Sequence, residues 1–105
     1  SKDYSKAVEW YTKAANQGCA GAQCNIGYCY KYGQGVSQDY SKAVEWYTKA
    51  ANQGHAIAQN NLGVCYEDGQ GVNKDLQKAI ELYKKAAAQG QSNAKANLER
   101  LGVSY

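Results

Sequence analysis

Few residues in this chain have reactive chemistry to offer, and their spacing limits what they could do. The thiols are Cys19, Cys24, Cys29 and Cys65, and the one imidazole is His55. Zinc sites draw thiolates and imidazoles from short, paired spacings, but no C-x2-C occurs here. His55 stands alone, so no metal ligands and no cofactor are expected. Cys29 and Cys65 fall on the apolar side of their segments and read as small buried hydrophobes. Cys19 and Cys24 read as free thiols, with a local bridge between them as the alternative.

A hydrolase would need a nucleophile and a base. Ser92-Asn93-Ala94-Lys95 matches S-x-x-K, yet neither S-D-N nor K-T-G accompanies it. Glu9, Glu45 and Glu81 each precede a lysine by four residues (Lys13, Lys49 and Lys85). On a helix these are surface ion pairs worth roughly a few tenths of a kcal/mol, not acid–base machinery. No catalytic residue is expected, and the chain does not read as an enzyme.

The elements that position these side chains follow from composition and pattern. The chain has 105 residues, 44% apolar and 20% charged, the balance of one small globular domain. Its net charge of +3 comes without Lys/Arg clusters, which argues against a nucleic-acid partner. The apolar runs are far shorter than the roughly 18 residues a membrane span requires, so no membrane insertion is expected. No leader-like segment is expected either. The opening Ser1-Lys2 fits a segment of a longer array. Proline is absent, so helices are interrupted only where glycine punctuates.

Self-similarity decides the fold. Residues 3–18, DYSKAVEWYTKAANQG, recur at 39–54 with all 16 positions identical, and 75–90 match at 10 of 16. The stretches between them, 19–38 and 55–74, agree at 11 of 20 positions, giving a period of 36 residues. Each unit holds two helical patterns. In the longer one, Ala43, Trp46, Tyr47, Ala50 and Ala51 form one apolar stripe, with Asp39 placed as N-cap and Gly54 as the terminating glycine. The shorter carries Ala58, Leu62, Cys65 and Tyr66 on one face, and Gly-Gln-Gly-Val forms the turn at its end, with the valine tucked beneath it. Helices are expected at about 3–17, 20–32, 39–53, 56–68, 75–89 and 92–101. Gly27 and Gly63 sit mid-helix, where glycine costs about 1 kcal/mol relative to alanine. Close approach of an aromatic side chain from a neighbouring helix is the expected return. Glu99 stands at the next such position, as befits a final helix with no successor.

The residues Ala22, Gln23, Asn25, Ile26, Gly27, Tyr30, Gly33, Gly35, Val36, Asp39, Lys42, Ala43, Trp46, Tyr47, Lys49, Ala50, Ala51 and Gly54 carry a pattern that resembles the Sel-1-like repeat family. This family is related to the tetratricopeptide repeats, whose period is about 34 residues and which lack the G-x-G-V turn. The resemblance implies an all-α solenoid, an α-α superhelix of antiparallel helix pairs that serves as a protein-interaction scaffold. The units are a partial repeat at 1–18, repeats at 19–54 and 55–90, and a C-terminal capping helix within 91–105. A cysteine-rich branch of the family joins adjacent helices through C-x7-C. Those positions here are Ala15 and Gln23, so its disulfide framework does not carry over.

In related solenoids the shorter helices line the concave surface. With Ile26 taken as the buried direction and about 100° per residue, Ala22, Cys29 and Tyr30 lie within about 60° of it. Cys24, Asn25, Tyr28 and Tyr32 point away, as do Asn60, Asn61, Val64 and Asp68 one repeat later. Asn25, Asn61 and Asn97 recur as a ladder of amides suited to the main chain of an extended peptide. The alternative is that each asparagine bonds a neighbouring backbone group and fixes a helix pair. Tyr28 and Tyr32 occur in one copy only, so the architecture does not require them, and phenols are frequent binding hot spots. The expected partner is a protein or peptide bound at Asn25, Tyr28, Tyr32, Asn61, Val64, Asp68 and Asn97; end-to-end self-association is also open. The competing readings are a small-molecule or β-lactam-type hydrolase role and a purely structural or designed module.

Overall fold

A computed structural model describes residues 4–105. Among them are six helices: α1 (Tyr4–Asn16), α2 (Ala20–Tyr32), α3 (Tyr40–Asn52), α4 (Ala56–Asp68), α5 (Leu76–Ala88) and α6 (Ser92–Arg100). Each lies within a residue or two of its expected span. The Asp3 cap implied for α1 lies outside the described residues. Consecutive helices pack on one another, and the molecule measures 41 × 25 × 23 Å, longer in one direction as stacked pairs require.

The local chemistry sets the boundaries. Asp39 and Asp75 carboxylates each accept the backbone N–H three residues on, from Lys42 and Lys78, both at 3.1 Å. The shorter helices start differently. His55 Nδ1 accepts from the Ala58 N–H at 3.2 Å, and the Gln91 side chain accepts from the Ala94 N–H at 2.7 Å. The lone histidine is therefore a helix cap. Cys19 occupies the same position in α2 without a side-chain cap bond.

In the Gly-Gln-Gly-Val turns, Gly35 and Gly71 have φ of 73° and 75°. A side chain at Gly35 would collide with the Tyr4 carbonyl, and one at Gly71 with the Tyr40 carbonyl. Each turn thus rests on the first turn of the preceding longer helix, a contact that only glycine permits. Val72 packs against the core beneath its turn.

The mid-helix glycines do what their cost implies. A Cβ at Gly27 would lie 2.7 Å from Tyr47 Cδ1, and one at Gly63 would lie 2.7 Å from Tyr83 Cε1. Tyr47 and Tyr83 lie flat on bare helical backbone and are among the largest fully buried side chains. A tyrosine buries about 150–250 Å², so each glycine–tyrosine seat recovers far more than the propensity it gives up. α2 with α3 and α4 with α5 consequently form the most extensive interfaces. One core cluster centres on Ala43, Tyr47, Ala50, Leu62 and Cys65; a second centres on Ala79, Tyr83, Ala86 and Leu98.

Candidate functional site

The exposed surface of the shorter helices is built by how they stack. α2, α4 and α6 lie in sequence, and their polar positions interlock one residue out of register with the repeat. Asn61 Nδ2 faces Cys24 Sγ at 4.0 Å, and Asn97 Nδ2 donates to Asn60 Oδ1 at 2.9 Å. Both contacts span 37 residues, one more than the period.

This offset corrects part of the wheel-based expectation. Cys24 and Asn60 were expected to point outward, but each is only 5% exposed. A shorter helix in a stack is covered on two sides, by its longer partners and by the next shorter helix. The side away from Ile26 is therefore filled at Cys24 and Asn60, while Asn25, Tyr28 and Tyr32 on that side stay open. Burial pushes the Cys24 thiol up to about 11, an effect that the Asn61 amide partly offsets. Burial likewise raises the Cys29 and Cys65 thiols, which are 4% and 0% exposed. All four cysteines are free, with Cys19 alone exposed.

The candidate binding residues divide into two groups. Asn25, Tyr28, Tyr32 and Asp68 are exposed. Asn61, Val64 and Asn97 are half-buried: the two asparagines face the preceding shorter helix, and Val64 packs against the second core cluster. Asn61 and Asn97 thus bridge neighbouring shorter helices, through side-chain partners rather than the backbone groups considered above.

The aromatic pair is different. Tyr28 and Tyr32 are 45% and 54% exposed, with ring centroids 4.6 Å apart and planes tilted by 49°. The Lys31 ammonium lies 5.5 Å from the Tyr32 ring although the lysine as a whole is buried. One repeat on, the same region carries an ionic network. Tyr83 Oη donates to Glu67 at 2.8 Å, and Arg100 Nη2 donates to the same carboxylate oxygen at 2.7 Å. The Arg100 hydrogen bond is the main cause holding the Glu67 carboxyl below its ordinary range; burial opposes it and Tyr83 adds to it.

Ser92 lies exposed at the start of α6, and no hydrogen bond joins it to Lys95. Among the described residues, no three His, Cys, Asp or Glu side chains converge as metal ligands. Among the described residues, no helix is long and apolar enough to cross a membrane. The Lys49 ammonium sits 4.6 Å from the Trp46 ring centre instead of pairing with Glu45, and among the described residues the ion pair is Glu67–Arg100.

Gln23 and its counterpart Gln59 are buried, and their bonds are not visible in the apolar stripes or caps. Gln23 Nε2 donates to the Ala15 carbonyl at 3.2 Å, and Gln59 Nε2 to that of Ala51 at 3.4 Å. Gln53 Nε2 then donates to Gln23 Oε1 and to the Gly18 carbonyl, both at 2.9 Å, and Gln89 Nε2 donates to Gln59 Oε1 at 2.9 Å. Their signal was the recurrence of a polar residue at a period of 36 beside Ala22 and Ala58. Ala15 and Gln23 are the positions that the C-x7-C spacing would occupy, and here a hydrogen bond joins the two helices at that point.

The Sel1 repeat family model matches residues 1–19, 20–55 and 56–91. The chain belongs to the Sel1 repeat family. Sel1 repeats generally form non-enzymatic scaffolds that mediate protein interactions. Among solved structures, the chain is similar to c5321, a protective antigen of uropathogenic Escherichia coli strains with an SLR fold, at 40% identity and a TM-score of 0.86. That match covers 96% of this chain and 22% of the antigen, so the chain spans about a fifth of the antigen's length. A Sel1 repeat protein from Oxalobacter formigenes matches at 44% identity and a TM-score of 0.86, over 90% of this chain and 71% of that one. The cysteine-rich protein B of Helicobacter pylori matches at 27% identity and a TM-score of 0.82, over 89% and 70%. No curated protein matches the chain. The α-α solenoid expected from the 36-residue period is the architecture of this Sel1 protein.

Proposed function

We propose that this Sel1 repeat chain is a scaffold that binds an extended segment of another protein along the row of shorter helices. The tyrosine pair on α2 carries the proposal. Two large phenols stand about half exposed and in contact, at positions where the next repeat has Val64 and Asp68. Such side chains combine apolar area with a hydrogen-bonding tip and lose few rotamers on binding. Asn25 and Asp68 on the same row are exposed and offer acceptors to a peptide main chain. The stacked helices hold these groups rigidly, so little conformational entropy is lost on docking.

Selection from a random peptide display library tests this reading. Peptides that bind the intact chain should lose at least about tenfold in affinity, roughly 1.4 kcal/mol, when Tyr28 and Tyr32 are both changed to alanine. The melting curve should stay unchanged. Peptides that bind the double variant equally well would place recognition elsewhere.

A further inference from the structure

The two junctions between neighbouring shorter helices carry one tyrosine in opposite electrostatic settings. At the second junction, Tyr83 Oη on α5 donates to a Glu67 carboxylate oxygen at 2.8 Å, and Arg100 Nη2 on α6 donates to the same oxygen at 2.7 Å. That carboxylate is held by a hydroxyl and a cation, both from this chain. At the first junction, 36 residues earlier, Tyr47 stands for Tyr83, Lys31 for Glu67 and Val64 for Arg100. A hydroxyl and a cation are again present, but Val64 brings no carboxylate to them.

Lys31 is 8% exposed and Tyr47 is 1% exposed. The Lys31 ammonium lies 5.5 Å from the Tyr32 ring centre, and among the described residues the ion pair is Glu67–Arg100, which leaves Lys31 without an acid. Asp68 and Lys31 both act on the Cys65 thiol, in opposite directions, yet do not pair with each other. A cation withdrawn from water gains from an acid that reaches it, because an aromatic face replaces only part of its hydration. Lys31 Nζ and Tyr47 Oη make no hydrogen bond among the described residues, where Gln70 Oε1 is the one fully enclosed side-chain oxygen or nitrogen without a partner. Both atoms therefore keep some contact with solvent. Tyr28 and Tyr32 lie close enough to act on the Tyr47 phenol, which burial above all holds well over its ordinary range. Tyr47 stays protonated at neutral pH and is a donor.

We propose that the first junction selects an acidic side chain, glutamate or aspartate, of the bound segment, whose carboxylate accepts from the Lys31 ammonium and the Tyr47 hydroxyl beside Tyr28 and Tyr32. The inference rests on the reading of the shorter helices as a peptide-binding row and adds the residue class recognised there. Glu67 is the internal pattern for the incoming group, with Lys31 in the role of Arg100 and Tyr47 in that of Tyr83. Tyr47 is almost wholly covered, so the carboxylate must reach it on a side chain from a main chain lying outside, as Glu67 reaches Tyr83 from α4. A basic side chain would meet Lys31 as a like charge, and an amide would leave the ammonium without its counter-charge.

Two random-peptide display libraries, one with glutamate and one with glutamine fixed at the central position, test the proposal on the full chain. The glutamate library should enrich at least about tenfold over the glutamine library. Its peptides should lose at least about tenfold in affinity on Lys31→Met, which keeps the length of the side chain and removes its charge. Lys31→Arg should retain the preference for glutamate, a rescue that a purely structural role for the aliphatic stem would not produce. Tyr47→Phe leaves the ring on Gly27 and removes the hydroxyl, and should weaken the glutamate peptides by about threefold. Equal enrichment of the two libraries, with binding still dependent on Tyr28 and Tyr32, would overturn the acidic site and leave the groove standing. A glutamate preference that survives Lys31→Met would overturn it by placing the acid elsewhere. Enrichment from neither library would remove the groove and the acidic site together.

Discussion

α1 and α3 have the same side chains in the same order and differ in almost everything that burial controls. Trp10 is 74% exposed, whereas Trp46 is half-buried with Lys49 over its ring. Tyr11 is half-buried, whereas Tyr47 is 1% exposed. The helical state needs only local propensity and a cap. The worth of each aromatic depends on what lies across from it, here a helix with a glycine at the right height. In a stacked fold, the energy of a residue belongs to the junction and not to the repeat.

The largest expected effect tests that difference directly. Tyr47→Ala should cost about 3–5 kcal/mol in urea denaturation, as large-to-small changes in cores do, and Tyr11→Ala only about 1 kcal/mol. Equal losses would break the comparison. Next, Gly63→Leu should cost about 3 kcal/mol, because Tyr83 and the Ala79 carbonyl, the latter 3.3 Å from the added Cβ, leave no room. Gly21→Leu, at an open position early in α2, should be neutral or stabilising by up to about 1 kcal/mol. A similar melting-temperature loss for both leucine variants would show that the glycine seat is not what holds the helices together.

The thiols sharpen the contrast within α2 and its leading loop. Cys19 should react with iodoacetamide in the native protein, while Cys24, Cys29 and Cys65 should react only as the fold opens. Mass spectrometry of the labelled sites reads this, and early labelling of Cys24 would contradict its packing under Asn61.

The smallest effect separates the two junctions by charge, since Glu67 stands where the preceding repeat has Lys31. The carboxyl of Glu67 is held below its ordinary range. Its stabilisation is therefore complete above the ordinary carboxylate pKa and is lost as pH falls through the depressed value. Glu67→Gln should lower stability by about 1 kcal/mol or less near pH 7, because Arg100 is largely exposed. That gap should close between about pH 5 and about pH 3 in thermal melts. A gap constant across this range would remove Glu67 from the acid response.

Much of this was legible along the chain. The 36-residue period, the six helices, the aspartate caps and the mid-helix glycines beneath aromatic rings are short-range consequences of pattern. The exposure of Tyr28 and Tyr32 was also within reach, because it follows from phase on a single helix. Cys24 and Asn60 were misplaced because a helical wheel allows one buried side, and a stacked helix has two. The one-residue offset that sets Asn61 on Cys24 and Asn97 on Asn60 depends on how neighbouring shorter helices slide past one another, which no single helix encodes.

The sequence by itself determined the repeat, the boundaries of its helices and the mid-helix glycines that seat an aromatic ring, because caps, glycines and apolar stripes act over a few residues. Only the tertiary structure decided which of two identical segments lies buried and which faces water. A side chain leaves solvent only when another surface arrives to cover it, and that surface belongs to a different part of the fold.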